Sequence, residues 1–111
     1  DEFTSITLHL KIYIEGYYLG NGVMSAVLDP FTLPNICDSI TVVLREPIAP
    51  FSPIHSTSSI IDINGNGVFN FPAAVNNQLY YIEVINRNTI ATWSKLPILF
   101  DSPVLNYDFT D

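Results

Sequence analysis

The sequence predicts an all-β protein, an antiparallel β-sandwich of about seven or eight strands formed by one domain, residues 1–111. Apolar and polar residues alternate with period two in several runs, and no apolar period of 3.6 residues lasts for three helical turns. Turn-forming Gly, Pro and Asn separate these runs at spacings near ten residues, which is typical of sandwiches and barrels. A chain of 111 residues is also long enough to bury one core without disulfides.

The first alternating run, Ile6 to Tyr18, predicts a long strand with one buried face. The apolar residues on that face are Ile6, Leu8, Leu10, Ile12 and Ile14. Residues 16–34 are rich in Gly and Pro and predict a loop that contains one short strand. Asp38 to Arg45 predicts a second clear strand, which Pro47 and the prolines after it terminate.

Five further alternating runs complete the predicted fold. They are SIIDI (59–63), GVFNFP (67–72), QLYYIEVIN (78–86), IATWSKLPILF (90–100) and PVLNYDFT (103–110). Strands of this length and spacing predict a sandwich of the immunoglobulin-like or transthyretin-like kind. Almost no helix is expected.

Charge and hydropathy exclude several classes of partner. Four Lys and Arg against eleven Asp and Glu give a net charge of -7, which repels nucleic acid and anionic membrane surfaces. No run approaches the 18 apolar residues of a membrane span, and the first residues lack the pattern of a signal peptide. Only 14% of the residues are charged, against about 25% in ordinary domains, while 48% are hydrophobic. We therefore expect other protein subunits or modules, including further copies of this chain, to cover part of the surface.

The stretch Asp62-Ile-Asn-Gly-Asn-Gly67 matches the first half of an EF-hand calcium loop. The full motif needs a Glu at its twelfth position, which is Ala73 here, and its flanks are predicted strands instead of helices. Asn-Gly between alternating runs instead predicts a β-hairpin turn. The alternative is a calcium site formed by Asp62, Asn64 and Asn66, and no other cofactor is expected.

Aromatic residues are the better candidates for ligand binding. Tyr13, Tyr17, Tyr18 and Trp93 are candidates for a flat stacking platform for sugar rings, because each joins an apolar ring to a polar group. The alternative is packing, with the tyrosines at the end of the first strand and Trp93 in the core. Histidines 9 and 55 have no partner at metal-ligand spacing, and no nucleophile elbow indicates catalysis.

Two other residues are predicted to be structural. Arg87 lies where two apolar runs turn, a place where its guanidinium can bind loop carbonyls or a carboxylate. Cys37 is the only cysteine and lies between Ile36 and Ile40, so it is expected to be buried and inert.

Several strings resemble one family of modules. The strings are LHLKIYIEGYYLGNGVM, DSITVVLREP, INGNGVFNFPAAVNNQLYYIEVINRNTIATWS and NYDFT. They resemble a β-sandwich module of secreted and cell-surface Bacteroidetes proteins that carry a type IX sorting domain. The resemblance extends from Leu8 to Thr110 and includes a turn in which Ala91 replaces the usual acid. Arg87, Asn88 and Trp93 of this turn are expected to be structural. It implies a secreted structural, adhesive or accessory unit without catalytic residues.

These observations predict a non-enzymatic extracellular module that self-assembles into a surface oligomer or filament. Because the sequence ends at Asp111 without a sorting domain, it is expected to be either a fragment or a self-assembling subunit. The expected contact edges are the first strand, Ile6 to Tyr18, and the last, Val104 to Thr110. The alternative from another class is a carbohydrate-binding accessory module of a secreted enzyme, with polysaccharide as its partner.

Overall fold

The structure is a computed structural model that describes residues 5–87 and 91–110. It confirms the all-β prediction, since the described helical structure consists of two 3₁₀ turns, Glu15–Tyr17 and Ala73–Val75. The strands are β1 (Ser5–Lys11), β2 (Tyr18–Gly20), β3 (Val23–Met24), β4 (Ile36–Arg45), β5 (Pro53–Asp62), β6 (Asn66–Pro72), β7 (Gln78–Ile85), β8 (Thr92–Trp93), β9 (Ile98–Phe100) and β10 (Val104–Asp108). Over these residues, no helix has the length and apolar character required to span a membrane.

The main sheet is mixed, which corrects the prediction of a purely antiparallel fold. In the described ranges its strands follow the order β10-β1-β6-β5-β4-β7-β8, with β9 also paired to β7. β1 and β10 run parallel, with Thr7 opposite Val104 and Lys11 opposite Asp108, whereas the other neighbouring pairs are antiparallel. Period-two alternation shows which face of a strand is buried but carries no information on the direction of its neighbour.

The sheet curls around one hydrophobic core. Phe71 of β6 contacts Phe100 of β9 edge-to-face, with ring centroids 6.2 Å apart, although three strands lie between them in the sheet. Alternation explains the burial, because the even-numbered residues of β1 and the odd-numbered residues of β6 point inward. The largest fully buried apolar side chains are Phe69, Phe100, Ile6, Leu8, Met24, Ile40, Leu44, Ile61 and Ile82. Burial of this apolar surface is the main force that stabilises the curled sheet.

The first strand is shorter than predicted and is not an edge. β1 ends at Lys11, although Ile12 and Ile14 continue the buried alternation, and the chain then forms a 3₁₀ turn. β1 lies between β10 and β6, so the expectation that it forms a contact edge was wrong, whereas β10 does lie at one end of the sheet. Residues 16–34 contain two short strands, β2 and β3, which form a small hairpin where one strand was expected.

Candidate functional site

The DINGNG stretch forms the turn between β5 and β6, which confirms the hairpin prediction. The Asp62 carboxylate organises it, because Oδ1 accepts the backbone N–H groups of Asn64 at 2.9 Å and Asn66 at 3.0 Å. The Gly65 N–H also donates to the Asp62 carbonyl at 3.0 Å. The turn thus directs N–H donors toward Asp62, as an Asx turn does, and supplies its own electrostatic partners for the carboxylate.

Replacing Asp62 should show how much this carboxylate stabilises the turn. Asp62→Ala removes the acceptor of two backbone N–H groups and is expected to lower the free energy of unfolding by about 1–2 kcal/mol in urea denaturation. Asp62→Asn keeps an oxygen at Oδ1 and should stay within about 0.5 kcal/mol of the parent.

The same samples test the calcium alternative. The parent protein is expected to have the same melting temperature in calcium as in excess chelator. Melting at a higher temperature in calcium, lost in Asp62→Ala, would instead support an ion site at Asp62, Asn64 and Asn66. Over residues 5–87 and 91–110, no three His, Cys, Asp or Glu side chains are grouped to hold a metal.

The four aromatic candidates are distributed over separate places. Tyr13 and Tyr18 contact each other, with ring centroids 4.7 Å apart, and Tyr18 is 42% exposed. Tyr17 packs against the core, and its hydroxyl donates to Asp38 Oδ2 at 3.4 Å. Trp93 lies on β8 and contacts Phe51 instead, with centroids 6.2 Å apart. The structure therefore brings together Tyr13 and Tyr18, and it places Trp93 in another cluster.

Trp93 belongs to a cluster on the outer face of β4, β7 and β8. Its ring is 39% exposed, and the Arg45 guanidinium lies 5.2 Å from its centroid. Arg45 Nε donates to Glu83 Oε1 at 2.6 Å, and Nη1 donates to the Phe51 carbonyl at 3.0 Å. Tyr81 completes the cluster against Phe51 and Trp93. Because the charged groups satisfy one another here, the cluster fastens the loop before β5 to the sheet.

A buried carboxylate lies at the opposite end of β4. Asp38 is 0% exposed and accepts hydrogen bonds from Arg87 Nε and Nη2, each at 3.2 Å. Asn86 Nδ2 donates to the same carboxylate at 3.3 Å, beside the bond from Tyr17. Arg87, predicted to be structural, thus binds a carboxylate, although its own side chain is 59% exposed. Asn88 lies outside the described residues.

Cys37 is fully buried beside Asp38, as the sequence predicts. Its Sγ lies 4.0 Å from the Sδ of Met24. Burial, with a smaller contribution from the Asp38 charge, raises the pKa of the thiol to about 11. The thiolate is therefore scarce at neutral pH, and the residue acts as a small apolar side chain.

The outer face of β10, β1 and β6 contains a groove of about 440 Å³. Six of its lining residues are outward-pointing: His9, Lys11, Asn66, Val68, Asn106 and Asp108. Strand register brings them together, since His9 lies opposite both Val68 and Asn106, and Lys11 lies opposite both Asn66 and Asp108. A hydrogen bond of 2.9 Å from Thr7 Oγ1 to Asn70 Oδ1 lies in the next row along the strands.

One acid of this groove is held in its charged form. The Thr110 hydroxyl and its backbone N–H both donate to Asp108 Oδ1, and these bonds, with a smaller effect of Lys11, lower the pKa of Asp108. Lys11 Nζ lies 5.9 Å from the centroid of the Tyr13 ring, which places the tyrosine pair beside this end of the groove. The groove thus combines opposite charges, side-chain amides and an adjacent aromatic surface.

The second exposed feature is the outer edge of β10. Thr7 N–H donates to the Pro103 carbonyl at 2.9 Å, and Phe109 N–H donates to the Lys11 carbonyl at 2.7 Å. In a parallel ladder with this register, residues 105 and 107 point their backbone groups toward β1. The N–H and C=O groups of Val104, Asn106 and Asp108 therefore point away from the sheet, along an edge that no strand of the described ranges covers.

Two of these features were missed at the level of sequence. Asp38 has the same parity as Ile40 and Val42, so period two places it on the inward face, and an acid at such a position indicates a buried ion pair. The groove gives no comparable signal, because its residues come together only through the pairing of β1 with both β6 and β10.

Comparisons with known proteins add no information on the function of this chain. No family model matches this sequence, and searches of curated proteins and of solved structures find no significant match. The resemblance to a Bacteroidetes secretion-associated module therefore stays a prediction.

Proposed function

We propose that this chain is a non-enzymatic, extracellular β-sandwich module with a structural and adhesive role, and that it self-associates through the edge of β10. The observation that carries the proposal is the row of outward backbone groups of Val104, Asn106 and Asp108. An open edge of this kind accepts a strand from a neighbour and gains a ladder of main-chain hydrogen bonds.

Composition and side chains support association at this edge. The Val104 side chain is 52% exposed, and only 14% of all residues are charged. The opposite end of the sheet offers shorter edges, β8 with two residues and β9 with three. β10 is longer, with five residues. The net charge of -7 opposes association, so oligomers should be favoured by salt, which screens this repulsion.

A proline at the edge provides the test. Asn106→Pro removes an N–H that points away from β1, so it should abolish association while the β1–β10 ladder stays intact. Asn106→Ala is the matched control, because it removes the same side chain but keeps the N–H. Light scattering over a range of protein concentrations in about 0.15 M salt measures the particle mass.

The expected result is concentration-dependent oligomers for the parent and for Asn106→Ala, and a monomer for Asn106→Pro. Circular dichroism melting checks that the proline variant remains folded. A parent that stays monomeric at every concentration, also in about 0.5 M salt, would overturn the proposal. Oligomers of unchanged mass in the proline variant would exclude this edge as the interface.

A further inference from the structure

The groove between His9 and Asp108 has features of a binding site that the self-associating edge does not use. Its lining side chains point outward from the face of the sheet, whereas the β10 edge presents backbone groups within the plane of the sheet. Its volume of about 440 Å³ lies within the usual range for small-molecule sites, about 300–1,000 Å³.

Several side chains of this groove carry hydrogen-bonding groups that no other described residue uses. Within residues 5–87 and 91–110, no side-chain hydrogen bond is made by His9, Asn66 or Asn106. Each asparagine side chain offers both a donor and an acceptor, and the His9 imidazole has two nitrogens that can take part in hydrogen bonds. Their backbone positions are set by three paired strands, which place the three side chains on one face of the sheet. Side chains that both donate and accept match the hydroxyl groups of a sugar, which also do both.

Charge in the groove argues against an anionic ligand. Lys11 is the one Lys or Arg among the lining residues of the groove, and it lies directly opposite Asp108. An aspartate is charged at neutral pH, and the hydrogen bonds from Thr110 lower the pKa of Asp108 further, so its carboxylate offsets the charge of Lys11. A phosphate or sulfate group would also approach against the net charge of -7.

The apolar contact in the groove comes from Val68, which is 46% exposed and lies opposite His9. The C–H face of a sugar ring packs against such a side chain while its hydroxyls bind the polar groups. The tyrosine pair lies beside one end of the groove but outside its lining, and both Lys11 Nζ and Tyr18 lie against the Tyr13 ring.

We infer that this groove binds a neutral oligosaccharide, with His9, Asn66 and Asn106 as the hydrogen-bonding residues and Val68 as the apolar contact. The inference gives the adhesive role in the proposed function a ligand class, and rests on that function to this extent. It differs from the platform predicted from sequence, because none of the four aromatic candidates lines the groove.

Titration with glycans of known structure tests the inference. The probes are soluble cello-, xylo-, manno- and chito-oligosaccharides, with heparin and inorganic phosphate as anionic probes. Binding is followed by calorimetry and by amide NMR shifts. At least one neutral oligosaccharide is expected to bind saturably and to shift the amides of residues 9, 66 and 106.

Two histidine variants locate the site. His9→Ala should weaken binding of that oligosaccharide roughly tenfold, through the loss of one groove partner. His55→Ala is the matched control, because His55 lies on β5 beside Tyr80, outside the groove lining, and it should bind like the parent. Equal affinity of the His9→Ala variant would overturn the inference, as would binding of heparin or phosphate alone or of no probe.

A further variant separates this inference from self-association. Val104→Pro blocks the same edge as Asn106→Pro but leaves every groove side chain in place. It is expected to be monomeric and to bind the oligosaccharide as the parent does. Loss of glycan binding in this monomer, with the fold intact, would contradict the assignment of the groove within one chain.

Discussion

Gly65→Ala is expected to lower the free energy of unfolding by about 3–4 kcal/mol and the melting temperature by more than about 10 °C. Gly65 has a φ of +91°, a conformation that L side chains rarely adopt. A Cβ at this position would also lie 2.6 Å from the backbone oxygen of Ile12. The turn would have to move away from Ile12, which breaks the hydrogen bond of 2.9 Å from Ile12 N–H to the Gly65 carbonyl.

Gly20→Ala separates the two causes of this loss. Gly20 has a similar φ of +99°, but no atom lies within 4 Å of its added Cβ. Its variant should therefore show the backbone strain alone, about 1–2 kcal/mol. Urea denaturation of both variants measures the difference, and equal losses would mean that the contact of the turn with Ile12 contributes nothing to stability.

Arg87→Met is expected to lower the free energy of unfolding by about 2–3 kcal/mol, because it leaves the buried Asp38 carboxylate without its cationic partner. This loss is smaller than that of a fully buried pair, because water reaches the Arg87 guanidinium. Arg87→Lys keeps the charge but not the two-pronged geometry, and should lose about 1 kcal/mol. Both values come from urea denaturation.

A double variant tests whether the charge of Asp38 is the cause. Asp38→Asn with Arg87→Met removes both charges and should be more stable than Arg87→Met alone, since an amide costs less to bury than a carboxylate. If Arg87→Met has the stability of the parent, Asn86 and Tyr17 are sufficient to satisfy Asp38 and the ion pair has no structural role.

The sequence predicts the local structure well where the signal lies within a few neighbouring residues. Period-two alternation predicted the buried face of β1 and the strands β4 and β6, and Asn-Gly predicted the turn after Asp62, because each of these signals acts over a few residues. The burial of Cys37 was predicted from its apolar neighbours for the same reason.

Features that depend on the pairing of strands far apart in the chain could not be predicted from the sequence. Nothing within Val104–Asp108 specifies that it runs parallel to β1, and the lining of the groove follows from that pairing. Trp93 illustrates the same difficulty, because its position on the outer face is fixed by Arg45 and Phe51, residues far from it in sequence. The burial of Asp38 is the exception, because Asp38 lies an even number of residues from Ile40 and therefore on the same inward face of β4.

The parallel pairing of the first and last main strands has a consequence for biosynthesis. A chain that emerges from a ribosome or a secretion channel from its N-terminus delivers β1 long before β10. During that interval β1 lacks one neighbour, and an apolar, half-paired strand is prone to associate with the wrong chain. Contacts between residues so far apart in sequence also raise the contact order, which slows folding. The arrival of Val104–Asp108 therefore sets the moment at which β1 is paired on both sides.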